Sequence, residues 1–217
     1  MRADLHIHSS FSPDGRQSVE EIMDAVKAKG IGCIAITDHN SFESYSISSK
    51  YGDIIVVPGE EVSSSGGHIL AYGINSMIPK GKGVEETIDL IHDAGGIAVA
   101  AHPYRWRSGL GEKNVVEGFD AIETFNSRST KGGNMKASRL ASRMKRPFTA
   151  GSDAHRIEHI GGAFIEISDD MTDWESVVKA ILNGKATAGG EHRTVGRTIG
   201  YGSKAITEWI GRGFRRI

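Results

Sequence analysis

The sequence contains a single cysteine, Cys33. One thiol cannot build an internal disulfide framework, and within the apolar run "IGCIAIT" it reads as a small buried hydrophobe, so a reducing, cytoplasmic location is expected. An excess of either charge is also lacking: 26 basic residues face 27 acidic ones, which argues against a surface coated in positive charge for nucleic acid or membrane, though local patches are not excluded. Nowhere do eighteen apolar residues run together, and no charged-then-apolar leader precedes the first strand-like segment, so neither a membrane span nor secretion is expected. Linkers, low-complexity tracts and repeats are missing too. With 217 residues and 38% apolar content, one compact domain over residues 1–217 is expected.

What is present alternates. The opening "ADLHIH" reads as a strand on which Asp4, His6 and His8 share one side and Leu5 and Ile7 the other. "SVEEIMDAVKAKG" reads as a helix, with Ser18 and Glu21 as a capping box, Val19, Ile22, Met23 and Val26 as an apolar stripe, and Gly30 as terminator. Strands follow in "IGCIAIT", "DIIVVP" and "HILAYGI", the last two separated by a turn at Gly66-Gly67. Then come a helix from Val84 to Ala94, strand "GIAVAA", a loop holding "YRWRSGLG", strand "FDAIETF" and a helix over 130–145. Strands "PFTAG" and "AFIEI", a helix from Thr172 and a short strand "KATAG" complete the series. Such alternation predicts an α/β fold with a parallel sheet covered by helices.

The unusual residues fall where strands end: His8, His39 in "ITDHN", Glu61 in "PGEEVS", His102 in "AAHPYR", and Asp153 and His155 in "AGSDAH". In a closed barrel those ends ring one mouth, whereas an open sheet gathers only neighbours, so convergence favours the barrel. With His6, His68 and Asp14 added, six histidines and three carboxylates form the candidate set. Carboxylates crowded together repel unless cations lie between them. Nitrogen and oxygen donors without sulfur suit zinc, manganese or iron, and nine ligands suffice for two or three ions.

In order along the chain, "DLHIHS…SPDG…ITDHN…PGEEVS…HILAYG…AHPYR…GSDAH" resembles the PHP (polymerase and histidinol phosphatase) family of metal-dependent phosphoesterases. The resemblance implies a distorted seven-stranded (β/α)7 TIM-like barrel with up to three divalent metals at its mouth. By motif, one ion takes His6, His8, Glu61 and Asp153; a second shares Glu61 and adds His68 and His102; a third takes Asp14, His39 and His155. Adjacent strand residues face opposite ways, and the family's register selects Glu61 over Glu60. The implied chemistry is in-line attack on phosphorus by a metal-bound hydroxide, with no protein nucleophile. Asp38 is expected to orient an imidazole. Arg105 and Arg128, with Asn126 and Arg193, are expected to clamp the phosphate.

The implied substrate is a small phosphomonoester or nucleotide. Two rivals stand beside it: an exonuclease acting on short nucleic acid, and a metal-stabilised scaffold or partner-binding module without turnover. A carbon–nitrogen hydrolase is poorly supported, since no lysine occupies a bridging position. Residues 127–146 hold seven basic side chains and no acidic one, and without an interleaved aromatic they read as the solvated face of a barrel-covering helix. A docking stripe at Ile206, Trp209, Ile210 and Phe214 is expected to complete the outer layer, and no membrane partner is expected.

Overall fold

The computed structural model describes residues 1–191, so the expected docking stripe at Ile206 to Phe214 lies outside the described residues. In chain order the elements are β1 (Arg2–Ile7), α1 (Val19–Ala28), β2 (Cys33–Ile36), α2 (Glu43–Ser48), β3 (Ile55–Val56), β4 (Gly59–Ser64), β5 (Gly67–Tyr72) and α3 (Val84–Asp93). Then follow β6 (Ile97–Ala100), β7 (Ala121–Asn126), α4 (Lys131–Met144), β8 (Phe148–Gly151), β9 (Ala163–Glu166), α5 (Trp174–Leu182) and β10 (Thr187–Gly190).

Locally encoded features form as expected. Ser18 caps α1 and Glu21 returns the bond, while Val19, Ile22, Met23 and Val26 are buried against Ile34 and Ile36. Thr130 caps α4 through the Gly133 amide, and Asp173 caps α5 through that of Ser176. Alternate residues of β5 and β6 divide between two cores. Leu70, Tyr72 and Val99 join Leu5, Ala35 and Ala121 inside, whereas Ile69, Ala98 and Ala100 pack outward with Ile88, Ile91 and Leu140.

The ladders depart from a parallel seven-stranded barrel. They form two sheets of five strands, ordered β10-β9-β1-β2-β3 and β4-β5-β6-β7-β8. The "PGEEVS" stretch is itself a strand, β4, and makes an antiparallel hairpin with β5, which also runs antiparallel to β6. Strand β9 is antiparallel to both β1 and β10. Strand "DIIVVP" shrinks to Ile55–Val56, and the stretch at 40–50, with no strong apolar period, contains α2. The two sheets meet at two seams made of isolated parallel bridges, Ile7 to Ala154 and His39 to Glu61.

One seam demands a glycine. A Cβ on Gly151 would stand 2.3 Å from the Cβ of His6 and 2.6 Å from its backbone nitrogen, so only a bare α-carbon lets β8 approach β1 there.

A bulge in β1 overturns the expected sidedness of the opening strand. Asp4 pairs with Ile34 but Ile7 pairs with Ile36, so β1 carries one extra residue across that interval. Leu5 therefore belongs to the inner core, Ile7 packs under α1, and His6 turns into the cavity. Asp4 is separated from the imidazoles. Its carboxylate accepts the amides of Ser152 at 2.8 Å and Gly161 at 2.7 Å, and burial pushes its pKa up to about 6 against those bonds.

Candidate metal centre

The nine candidate side chains converge. Four groups of three have ligand atoms within 4.8 Å of one another: His8, His39 and His155; His6, His8 and Glu61; His6, His102 and Asp153; His39, Glu61 and His68. Asp14 reaches the same cluster, with Oδ2 2.9 Å from His155 Nε2 and Oδ1 3.8 Å from His39 Nε2. His68 sits at the start of a strand rather than its end. Because β5 is antiparallel to β4 and β6, its beginning lies beside the carboxyl ends of its neighbours, and His68 points to the same mouth.

Glu61 is the hub. One carboxylate oxygen lies 2.8 Å from His68 Nδ1 and 2.9 Å from His102 Nε2; the other is 3.1 Å from His6 Nε2 and 3.2 Å from His8 Nε2. Glu60 faces away, where its carboxylate accepts the Ile78 amide at 2.9 Å. Asp153 is the second anchor, 3.5 Å from His8 Nε2 and 3.9 Å from His6 Nε2, and both arginines expected at the mouth bond to it. His102 and Asp153 adopt φ of +27° and +54°. Such backbone is costly for residues other than glycine and collects at functional sites.

The imidazoles are held from behind. His6 Nδ1 lies 2.9 Å from Glu123 Oε1, which leaves Nε2 facing the cavity. Glu123 Oε2 also accepts the His102 amide at 2.8 Å and the Asn126 side chain at 3.2 Å. The sequence reading missed Glu123. Its only signal is a carboxylate set inside the apolar run "FDAIETF". Asp38 acts at one remove: its carboxylate accepts the Ser9 amide and hydroxyl at 2.6 Å and the Ser12 hydroxyl at 2.9 Å, and that hydroxyl stands 3.0 Å from His8 Nδ1. Nothing in the sequence marks Ser9 or Ser12 for this role.

Among the expected phosphate contacts, Arg105 and Arg128 reach the rim with side chains 20% and 16% exposed, open enough to meet a ligand. Asn126 does not reach it. It is fully buried, and its amide bridges Asp153 Oδ2 at 3.1 Å to Glu123. Arg193 lies outside the described residues.

The electrostatics are those of a cavity gathered around positive charge. Burial opposes ionisation of Glu61, yet His39, His68 and His6 outweigh it and hold the carboxyl well below its usual range. Burial likewise opposes Asp153, and Arg105, Arg128 and His6 override it in the same direction. His6 is pushed well above an ordinary imidazole, against burial, by Glu123, Asp153 and Glu61. His8 rises to about 9 because bonds from Asp153 and Glu61 exceed its desolvation. In contrast His155 falls to about 4 through burial and the nearby Arg128, and burial depresses His39 and His102.

The donor set fits divalent metal. His6 Nε2 and His8 Nε2 face each other at 3.2 Å, close to the separation of about 3.3 Å that two nitrogens about 2.0–2.1 Å from a tetrahedral ion would have. Asp14 Oδ1 and His39 Nδ1 are buried without a hydrogen-bond partner. Native interiors rarely leave such atoms unpaired, and coordination would engage them.

Comparison with known proteins agrees with this geometry. The PHP domain family matches residues 4–125, and a PHP-associated family matches residues 131–186. An uncharacterised protein of Methanocaldococcus jannaschii is 38% identical over 147 residues, 61% of this chain and 85% of that one. Among solved structures, a two-domain protein from Bacteroides vulgatus containing a predicted PHP-like metal-dependent phosphoesterase superposes with a TM-score of 0.74 at 16% identity. That match covers 88% of this chain and 65% of that one, so the chain spans just under two thirds of the relative's length. Endonuclease Q bound to a 27-mer duplex with an abasic lesion superposes with a TM-score of 0.68 at 17% identity, over 88% of this chain and 60% of that one.

Proposed function

The chain belongs to the PHP family of metal-dependent phosphoesterases, and from that premise we propose that it hydrolyses a small phosphomonoester or nucleotide at the histidine cavity. The observation that carries the reading is the convergence of six histidines and three carboxylates on one cavity whose rim holds two arginines. The same reading takes β1, β2, β4, β5, β6, β7 and β8 as one distorted ring, supported by the two bridged seams.

His6, His8, Glu61 and Asp153, then Glu61 with His68 and His102, then Asp14, His39 and His155, would hold two or three ions of the zinc, manganese or iron type. Bound there, such ions supply Lewis acidity and a nucleophile at neutral pH. The remaining work belongs to the protein. Glu61 spans the cavity, with its two oxygens turned to different imidazoles. Glu123 and the Ser12–Asp38 pair orient His6 and His8 so that each Nε2 faces inward. Arg105 and Arg128 engage Asp153 through one terminal nitrogen each, and the fork of a guanidinium can pair further with non-bridging phosphate oxygens. Asn126 acts here as a positioning residue for Asp153 rather than as a substrate contact.

The test is a phosphate-release screen over sugar phosphates, nucleotides, histidinol phosphate and short oligonucleotides, with manganese, zinc or iron supplied and a chelated control. Metal-dependent release is expected. Metal bound with every compound left intact would favour the scaffold reading. Cleavage confined to oligonucleotides, with steep salt dependence, would favour the nuclease.

A further inference from the structure

We propose that Trp106, together with the first turns of α4, forms a platform for the planar base of a nucleotide whose phosphate enters the histidine cavity. The proposal rests on the phosphoesterase reading and narrows its substrate class.

Among the described residues, Trp106 is the most exposed large apolar side chain, at 81%. An indole left in water forgoes the burial that makes tryptophan a frequent anchor in binding sites. Its position is tied to the mouth. Trp106 directly follows Arg105, whose guanidinium bonds Asp153, and the loop is closed by bonds from Arg105 N–H to His102 O, Gly109 N–H to Arg105 O and Gly111 N–H to Pro103 O, at 2.9, 3.1 and 2.9 Å. A further bond of 3.2 Å, from the His68 amide to Ser108 O, fastens the same loop to the cavity wall. Arg107 then takes a left-handed φ of +74° and lays its guanidinium 5.2 Å from the indole centroid.

The loop also rests on α4. Tyr104 lies against Gly133, where a Cβ would be in ordinary contact with its backbone oxygen at 3.7 Å, and Lys136 stands 5.9 Å from the Tyr104 ring centroid. Beyond this contact Lys131, Lys136 and Arg139 are exposed along a stretch, 127–146, that holds seven basic residues and no acidic one. The aromatic group absent from that stretch of sequence is thus delivered by the loop after β6. Tryptophan with a stacked guanidinium, beside basic side chains and an anion-binding cavity, matches a base joined to phosphate. A bare sugar phosphate has no planar face to offer it.

Binding to the intact protein, with metals chelated so that no ester is cleaved, is measured by isothermal titration calorimetry, a readout that does not depend on Trp106. The probes are AMP, adenosine, ribose 5-phosphate and hexathymidylate, against wild type, Trp106→Ala and Trp106→Phe, with circular dichroism confirming the fold of each variant. AMP is expected to bind about 5- to 150-fold more tightly than ribose 5-phosphate, the range that stacking of one base supplies. Trp106→Ala should erase that preference, and Trp106→Phe should keep most of it. Equal affinity for AMP and ribose 5-phosphate in wild type, or an AMP preference that survives Trp106→Ala, overturns the platform. If hexathymidylate binds more tightly than AMP and the surplus disappears in Lys136→Glu, the base belongs to a strand end; equal binding assigns a free nucleotide, and both results support the platform. The two readings fail separately. Phosphate released from ribose 5-phosphate by the metal-loaded protein keeps the phosphoesterase reading even if the platform falls, whereas Trp106-dependent AMP binding with no release from any ester overturns hydrolysis alone.

Discussion

Replacing Glu123 by glutamine changes one atom in the wall behind the cavity and tests whether that wall holds the imidazoles. The wild-type carboxylate meets His6 Nδ1 at 2.9 Å on one oxygen, and the His102 amide at 2.8 Å and the Asn126 side chain at 3.2 Å on the other. Glutamine has a single oxygen. If its NH2 faces His6 Nδ1, one bond that the carboxylate accepted is left unmade; if it faces the other side, both the His102 amide and the Asn126 side chain lose their acceptor. An unmade bond at a buried donor costs about 1–3 kcal/mol, and loss of a partner behind a ligating histidine typically costs about 10–100-fold in metal affinity, so the two scales agree. Competition with a chelating dye should show a dissociation constant for zinc or manganese raised about 10- to 100-fold. Thermal unfolding of the metal-free protein should fall by about 2–4 °C for each kcal/mol in a chain of this size. A dissociation constant within twofold of wild type, together with an unchanged melting temperature, would refute the claim that Glu123 sets the orientation of His6.

Three further outcomes are expected. His8→Ala and Asp153→Ala should each abolish phosphate release while circular dichroism stays native, because each removes a donor facing the cavity; normal turnover in either removes it from the ligand set. Metal affinity should rise with pH up to about 9 and beyond, since in the metal-free site His8 is pushed up to about 9 and His6 is also raised well above an ordinary imidazole, and each proton must leave before a cation can bind. Titration calorimetry in buffers of different ionisation enthalpy reads the released protons below pH 9, and a pH-independent affinity between 6 and 9 would contradict it. Gly151→Ala should destabilise the protein by about 1–3 kcal/mol or more, measured by denaturant unfolding, as its methyl would stand 2.3 Å from the Cβ of His6.

How far the fold could be read in advance depended on the range of the interaction. The capping box at Ser18 and Glu21, the buried stripe of α1 and the limits of α4 were legible because each depends on residues within a turn or two. The convergence of the candidate side chains was legible for another reason: histidines and carboxylates embedded beside apolar strands have few explanations apart from a shared polar cavity. The register of β1 was not legible. Its bulge exists only against β2, so the sequence placed Leu5 and Ile7 on one face where the structure puts them in different cores. Glu123 and Asn126 escaped notice as wall residues because their partners lie on β1, after β6 and after β8, far away along the chain.

The sequence alone determined which chemical groups were available and that they were suited to divalent ions, since donor type belongs to each side chain. Tertiary structure decided how they are arranged: the antiparallel hairpin that turns His68 to the mouth, the seams that bring His6 to Asp153 and His39 to Glu61, and the loop after β6 that rests Tyr104 on α4. These depend on pairing between distant strands. Chain-local preferences cannot specify such pairings, because a shift of one residue changes which side chains face the cavity.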